Sequence, residues 1–202
     1  MKRGEEYTDR YGYEDEKGNE EEEPKASPMS QSFYSWLQAV VPVMIVVILG
    51  FTFLGRLTPV DGDSMYPTLH SGDLMLVQRI GYTPKQGDVV VLTKEFDQVT
   101  GPIVKRVVAV GGQRVEIDYG ESVIYVDGQP LEEDYINGPM EQKFWQTTRT
   151  LTVPEGELFV VGDNRNVSND SRNPSLGTVD ARYVLGRATL VIFPLHRLRG
   201  IL

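Results

Sequence analysis

The sequence predicts a mostly-β domain of about 140 residues that follows a single transmembrane helix. After Pro59 the chain consists of short runs rich in Val, Ile and aromatic residues, which glycine and proline turn signals separate. An apolar segment without charge precedes these runs, and no stretch after residue 60 has the periodicity of a long amphipathic helix. A chain of 202 residues therefore holds one globular domain, residues 56–202, with appendages in front of it.

The first appendage is an acidic tail, residues 1–32. Its first 29 residues carry ten Asp and Glu against five Lys and Arg. Such a segment has few apolar groups to bury, so we expect it to be disordered. The net charge of −9 argues against nucleic acid as a partner, which would require a basic face. The chain contains no cysteine, which excludes disulfides and thiolate metal sites.

The second appendage, residues 33–55, is predicted to be one uncleaved transmembrane helix. Between Trp36 and Leu54 there is no charged residue, and a hydrocarbon core about 30 Å thick needs roughly 20 residues of helix. A soluble helix would rarely be so apolar, and a cleavable signal peptide has a shorter apolar region with a basic segment close by. The flanking charges, Lys25 and Arg56, are too balanced to orient the helix.

Seven segments of the globular part have the composition of strands. Each is rich in Val, Ile or aromatic residues and is bounded by turn-forming residues. They are residues 73–80, 87–92, 102–110, 113–117, 122–126, 157–161 and 185–193. We expect them to form a sheet or a barrel-like structure, with a small hairpin insertion at about residues 119–150.

The stretch DGDSMYPTLHSGD, residues 61–73, places Ser64 on a loop rich in turn-forming residues. A serine hydroxyl becomes a nucleophile when a neighbouring base takes its proton. The chain offers two histidines, His70 and His196, but nothing around either indicates burial, and an ordinary exposed histidine is the simpler interpretation of both. A desolvated lysine can serve instead, because burial lowers the pKa of the amine toward neutrality.

Lys105 is the lysine whose surroundings fit that role. It lies in the predicted strand 102–110 and shares one face with Ile103 and Val107. Its neighbour Arg106 lies on the other face and cannot deprotonate. The competing interpretation is a strand lysine whose amine extends to water, and periodicity alone favours it. The local pattern therefore leaves the role of Lys105 open.

Four blocks follow the predicted helix in a definite order. They are GDSMYPTLHSGD with the serine, GDVVVL, VKRVVAVGGQ with the lysine, and GDNRNVSNDSR at residues 162–172. In this order and behind such a helix, they resemble bacterial type I signal peptidases, in particular the single-span, Gram-positive kind. GRATLVIFPL, residues 186–195, is similar to the closing strand of that family, and the likeness runs from about residue 30 to residue 202.

The resemblance implies a membrane-bound serine endopeptidase that removes signal peptides from secreted preproteins after small residues at P3 and P1. It implies Ser64 as the nucleophile and Lys105 as the general base. Ser168 matches the serine that hydrogen-bonds the lysine amine, and Asp170 and Arg172 match a charged pair that supports the site. The reaction so implied requires no metal and no cofactor.

The resemblance also implies where the substrate and the enzyme lie. The peptide would bind extended, beside residues 60–63 and 102–104. The substrate-binding positions map onto Val60, Asp61, Gly62, Met65, Leu69, Ile103 and Val104. Residues 1–32 would be cytoplasmic and residues 56–202 extracytoplasmic. The implied partners are secreted preproteins and the lipid bilayer, with the Sec translocation machinery as a further candidate.

Gly62 departs from the pattern of many relatives, which have a serine there whose hydroxyl helps to form the oxyanion hole. The hole would then rest on the backbone N–H of Ser64 and on a second donor that the sequence does not identify. Ten residues separate Leu54 from Ser64, so the nucleophile lies within roughly 35 Å of the end of the predicted helix.

Four alternatives compete with this interpretation. Residues 162–172 have the Asp and Asn content of a calcium loop, but counting from Asp163 puts Arg165, Val167 and Pro174 where oxygen ligands are required. A plain polar turn is the simpler alternative for that block. The self-cleaving repressors of the SOS response also use a Ser/Lys pair on a β fold, but they carry a DNA-binding domain. The remaining alternative is a membrane-anchored binding module without activity, which the retained serine and lysine disfavour.

Overall fold

The structure, a computed structural model, describes residues 28–96, 101–143 and 150–201. The predicted disorder of the acidic tail falls on residues that lie outside this range, except for residues 28–32. The chain divides into two compact units, Met1–Met44 and Ile45–Leu202.

Helix α1 spans Pro28–Leu54, so it begins before the predicted boundary at residue 33 and takes up the end of the predicted tail. A proline is well suited to the first position of a helix, where its missing N–H is not needed. The stretch Ser32–Gly50 has a mean hydropathy of 2.0 and none of it is buried. An exposed helix with apolar side chains all round suits a lipid environment, which supports membrane anchoring of the chain.

The remaining elements are strands and two single-turn 3-10 helices, Ala181–Tyr183 and Leu195–Arg197. The strands are β1 (Arg56–Pro59), β2 (Leu74–Gln78), β3 (Val89–Leu92), β4 (Ile103–Val110), β5 (Arg114–Asp118), β6 (Val123–Val126), β7 (Gln129–Pro130), β8 (Thr150–Thr152), β9 (Glu157–Val161), β10 (Val179–Asp180), β11 (Val184–Phe193) and β12 (Arg199–Gly200). All seven predicted strands are present. The strands that the sequence did not predict are short, with two to four residues each.

The strands form two sheets. The larger has the order β1-β2-β11-β3-β4-β9-β10, with β12 paired to β11, and its neighbouring strands are antiparallel. This mostly-β architecture is the predicted fold class. The smaller sheet has the order β7-β6-β5-β8 and therefore extends slightly beyond the predicted insertion at both ends. In the larger sheet β1 is an edge strand, whereas β4 lies between β3 and β9.

Strand β4 is surrounded by apolar side chains. One core cluster joins the loop after β1 to β2, β3 and β11, and Val104 packs against it. A second cluster includes Val107 together with residues of β3, β9 and β10. A third joins Val108 and Ala109 to the small sheet. Because β4 contributes to all three clusters, polar side chains on this strand enter the protein interior.

Close approach of β11 to β2 requires a glycine at position 186. A side chain there would collide with the carbonyl oxygen of Gln78 and with the side chain of Val77. We expect Gly186→Ala to lower the free energy of unfolding by about 1–3 kcal/mol, because overpacking forces the backbone to move. Gly200→Ala is the matched control, since it is also a strand glycine but has no atom within 4 Å of the position that a Cβ would take. Denaturant unfolding measures both variants, and equal stabilities would contradict this account of the packing.

Candidate active site

Ser64 lies on the loop between β1 and β2, and the backbone of this loop is held at several points. The Val60 N–H donates to Asp73 O at 2.8 Å, and the Gly72 N–H donates to Val60 O at 2.9 Å, which closes the loop at its base. Met65, directly after the serine, is 1 % exposed and anchors the loop in the core. The half-buried Ser64 side chain is thereby held at the edge of the larger sheet.

The side chain of Lys105 extends from β4 to Ser64. Its Nζ donates a hydrogen bond to Ser64 Oγ at 2.8 Å and another to Val104 O at 3.0 Å. The residue is 4 % exposed, so the alternative of a lysine that extends to water is wrong. Burial lowers the pKa of the Lys105 amine to about 8, although Asp170 and Asp163 act to raise it. An amine with such a pKa is neutral in a substantial fraction of molecules near neutral pH, which is what a general base requires.

Neither histidine contacts Ser64 within the described structure. His196 is exposed, as predicted. The prediction of an exposed side chain is wrong for His70, which is half-buried and forms a close contact with Arg197. Its backbone N–H donates to Asp73 at 2.9 Å, and Arg197 donates to the other oxygen of that carboxylate at 2.8 Å. These contacts indicate a role for His70 in holding the loop.

Asp170 and Arg172 form an ion pair in the protein interior. Arg172 Nε lies 2.8 Å from Asp170 Oδ1, and both side chains are fully buried. Burial raises the pKa of the Asp170 carboxyl, but the Arg172 guanidinium and the N–H of Gly162 more than offset that effect, so the pKa is lower than usual. The carboxylate accepts the Gly162 N–H at 3.0 Å, and Arg172 donates to the carbonyl of Arg165 at 2.7 Å. The pair therefore holds together the loop on which it lies.

Ser168 does not form the predicted hydrogen bond to Lys105. Its hydroxyl is buried and has no hydrogen-bond partner among the described residues, although it lies close enough to Asp170 to lower the pKa of that carboxyl. It packs against Gly162 so closely that any side chain at position 162 would collide with it and with Ser64 O. Ser168 therefore packs next to Gly162, close to the backbone of Ser64.

The sequence interpretation missed a second buried ion pair beside the first. Arg106, next to Lys105, donates to both carboxylate oxygens of Asp163 at 2.9 and 2.7 Å. The hydroxyl of Thr68 makes a close hydrogen bond to the same carboxylate, which links the loop of Ser64 to this pair. The sequence contains one indication of this pair: Arg106, like Lys105, is a cation among aliphatic residues in a predicted strand.

Asn164 was also missed, and it holds the backbone of the nucleophile. Its N–H donates to Ser64 O at 3.0 Å, and its side-chain amide donates to Asp63 O at 3.0 Å. The Ser64 N–H itself donates to no acceptor in the described part of the chain, so it is available to an oxyanion. The Gly62 N–H donates to Ser71 Oγ at 3.3 Å.

A groove of about 420 Å³ lies between β1 and the start of β4 and reaches Ser64 and Lys105. Its floor is mostly apolar, and its edge is the unpaired side of β1. The predicted substrate-binding residues that line it are Val60, Asp61, Gly62, Met65, Ile103 and Val104. Leu69 does not line the groove, because it is fully buried in the core cluster beneath. Val91 and Leu185, which were not predicted, line it as well.

The model of the family described as signal peptidase, peptidase S26, matches residues 33–193. The chain belongs to this family. The probable signal peptidase I-1 of Synechocystis sp. is 36 % identical over 167 residues, which cover 78 % of this chain and 81 % of the relative. The signal peptidase I of Bacillus licheniformis is 31 % identical over 186 residues, which cover 88 % and 97 %. A solved signal peptidase I from Enterococcus faecalis is 29 % identical, covers 54 % of this chain and 98 % of its own, and has a TM-score of 0.44.

Membership of the signal peptidase family decides among the alternatives that the sequence left. It sets aside a self-cleaving repressor and a binding module without activity, since the family consists of peptidases. The calcium-loop alternative gains no support either. Among residues 28–96, 101–143 and 150–201, no group of three carboxylate or histidine side chains is arranged to hold a metal ion.

The lowered pKa of Lys105 predicts the pH dependence of this peptidase. With Lys105 as the general base, only the neutral amine can react, so kcat/KM is expected to rise with pH through a limb near pH 8 and to collapse in acid. The measurement is a kcat/KM profile for the full-length chain with an Ala-X-Ala peptide. The double variant His70→Gln/His196→Gln is the control, and it should keep the same limb. Loss of the limb in that variant would assign the base to a histidine.

Proposed function

We propose that the chain removes signal peptides from secreted preproteins with Ser64 as nucleophile and Lys105 as general base. The chain is a signal peptidase by family, and such enzymes are signal-peptide-removing endopeptidases. The observation that carries the proposal is the contact of 2.8 Å between Lys105 Nζ and Ser64 Oγ, made by an amine whose pKa burial lowers to about 8, so that about half of it is neutral at that pH. No other base lies in contact with Ser64 within the described structure.

The proposed reaction begins with the neutral amine. Ser64 donates its hydroxyl proton to Lys105 Nζ as its Oγ attacks the carbonyl carbon of the scissile peptide. The oxyanion that forms accepts a hydrogen bond from the Ser64 N–H. The ammonium of Lys105 then gives its proton to the leaving amine, which leaves an acyl-enzyme on Ser64. The neutral amine next takes a proton from a water molecule as the water oxygen attacks the acyl carbon. Lys105 then returns this proton to Ser64 Oγ as the ester bond breaks, which releases the acyl product and restores the free serine.

The groove supports an extended peptide as the substrate. β1 is an edge strand of the larger sheet, so its free backbone groups can pair with an added strand. The side chains of such a peptide alternate, and those at P1 and P3 would both face the apolar floor that Val60, Met65 and Val104 help to form. The proposed specificity for small residues at these positions follows from the shallow space that these side chains leave.

The membrane arrangement is part of the proposal. Helix α1 anchors the chain in the bilayer, with residues 1–27 in the cytoplasm and the β domain on the outer side. The start of β1 two residues after the helix supports a site that works close to the membrane surface, where cleavage sites of membrane-inserted signal peptides emerge. The Sec translocation machinery is the proposed source of these substrates.

The roles of the two residues are tested by substitution. Ser64→Ala and Lys105→Arg are each expected to reduce cleavage of a preprotein by roughly 10⁴-fold or more, because one removes the nucleophile and the other cannot become neutral. Lys85→Arg, which alters an exposed lysine in the same way, should retain full activity. The amount of mature protein released per unit time is the readout. Substantial turnover by Lys105→Arg would contradict the general-base assignment.

The topology is tested by protease protection. Protease added to intact protoplasts is expected to degrade the β domain and to spare an epitope in the acidic tail. After permeabilisation, both parts should become accessible, which serves as the control. Protection of the β domain in intact protoplasts would reverse the proposed orientation while leaving the chemistry of the site unaffected.

A further inference from the structure

The segment of residues 131–141, which follows β7, joins the small sheet to the loop 162–173 and is called the brace here. At its start the Leu131 N–H donates to Ile124 O at 2.9 Å, which ties it to β6. Near its end Met140 is 2 % exposed and belongs to the core cluster of the small sheet. Both ends of the brace are therefore anchored on the small sheet.

The middle of the brace contacts the loop that carries the buried charged pairs. Glu133 forms a bidentate ion pair with Arg165: Nη1 donates to one carboxylate oxygen at 2.9 Å, and Nη2 makes a close contact with the other. Both side chains are almost completely buried, with exposed fractions of 6 % and 1 %. Arg165 in turn donates from Nε to Gly162 O at 3.2 Å. A single carboxylate on the brace thus reaches, through Arg165, the carbonyl of Gly162, the residue that packs against Ser64 and Ser168.

The brace makes further contacts with the loop 162–173 and with β4. The ring of Tyr135 lies 3.9 Å from the guanidinium carbon of Arg106, the neighbour of Lys105. The Asn137 N–H donates to Asp163 O at 3.1 Å. The side-chain amide of Asn166 donates to Pro139 O and accepts the N–H of residue 141, each at 2.9 Å. The brace therefore contacts the loop at Asp163, Arg165 and Asn166, and through Tyr135 it contacts β4, the strand that carries Lys105.

We propose that Glu133 is a positioning residue for the peptidase reaction, which acts through Arg165 to hold the loop 162–173 against Ser64 and Lys105. The inference rests on the proposed roles of those two residues. A buried guanidinium must be paired, and Asp163 and Asp170, the acidic residues of this loop, are already bound to Arg106 and Arg172. The carboxylate that Arg165 requires comes from outside the loop, so the small sheet contributes to the active site.

The pKa of Lys105 provides a readout that would stay unchanged if Glu133 only stabilised the fold. The charged groups that act on the amine are Asp170 and Asp163, which favour the ammonium, and Arg172, which disfavours it. Arg106, adjacent on β4, is neutralised by Asp163. Replacing Glu133 by glutamine leaves the Arg165 guanidinium uncompensated on the loop that also carries Asp163, Asp170 and Arg172, and an added positive charge there disfavours the Lys105 ammonium. The pKa of Lys105 should then fall further.

The test compares Glu133→Gln with Glu132→Gln in the full-length chain in detergent, with an Ala-X-Ala peptide as substrate. Glu132 is the matched control because it is exposed on the same segment. We expect kcat of Glu133→Gln to fall about tenfold at an unchanged KM, since small displacements of catalytic groups are costly. The acid limb of its kcat/KM profile should move to lower pH by about half a unit. Glu132→Gln should match the wild type in both respects.

A double variant, Glu133→Gln/Arg165→Gln, leaves no unpaired charge and carries the test if the single variant does not fold. It should show the lower kcat with the acid limb close to its wild-type position. Wild-type kcat in the Glu133 variants, a changed KM at constant kcat, or failure of both variants to fold would overturn the positioning role. Activity of Lys105→Arg would instead contradict the Ser64/Lys105 proposal, so the two failures are distinguishable.

Discussion

The contact between the Lys105 amine and Ser64 takes place inside the protein, and most of the site is arranged around the burial of that amine. A pKa shift from 10.5 to about 8 corresponds to roughly 3 kcal/mol by which the interior disfavours the ammonium relative to the neutral amine. Such a shift needs a strand that is covered on both faces, and β4 has this property because it contributes to three core clusters. The loop of Ser64 reaches this buried amine, and it is anchored by Met65 and held by Asn164.

The same burial explains why the carboxylates of the site are paired. Asp163 and Asp170 both act to raise the pKa of Lys105, and an unpaired carboxylate in this low-dielectric region would favour the ammonium strongly. Each is bound to an arginine, Arg106 or Arg172, with donor–acceptor distances of 2.7–2.9 Å. Their effect on the amine is thereby reduced, and desolvation remains the largest influence. The arginines therefore compensate the charge of the carboxylates that act on Lys105.

The sequence predicted the parts of this structure that depend on local pattern. The seven predicted strands follow from runs of β-branched and aromatic residues, and the apolar helix follows from its lack of charge. Ser64, Lys105 and the Asp170/Arg172 pair could be named because they lie in recognisable blocks. Strand β1 could not be predicted, because its residues, RLTP, contain no run of β-branched or aromatic side chains and take their conformation from pairing with β2.

The remaining errors have the same origin in contacts between distant residues. Leu69 was assigned to the substrate-binding positions by the resemblance, but its side chain is buried in the core. Glu133 carries no local signal, since an acidic residue in a turn-rich segment is usually solvated. Its importance depends on Arg165, 32 positions further along the chain.

The burial of β4 changes along the strand. Ile103 and Val104 are half-buried and line the groove, while the next five residues are buried. Lys105 is thus the first interior residue of the strand and also lines the groove. A bound peptide would remove the remaining water from the amine, so substrate binding itself favours the neutral form that the reaction requires.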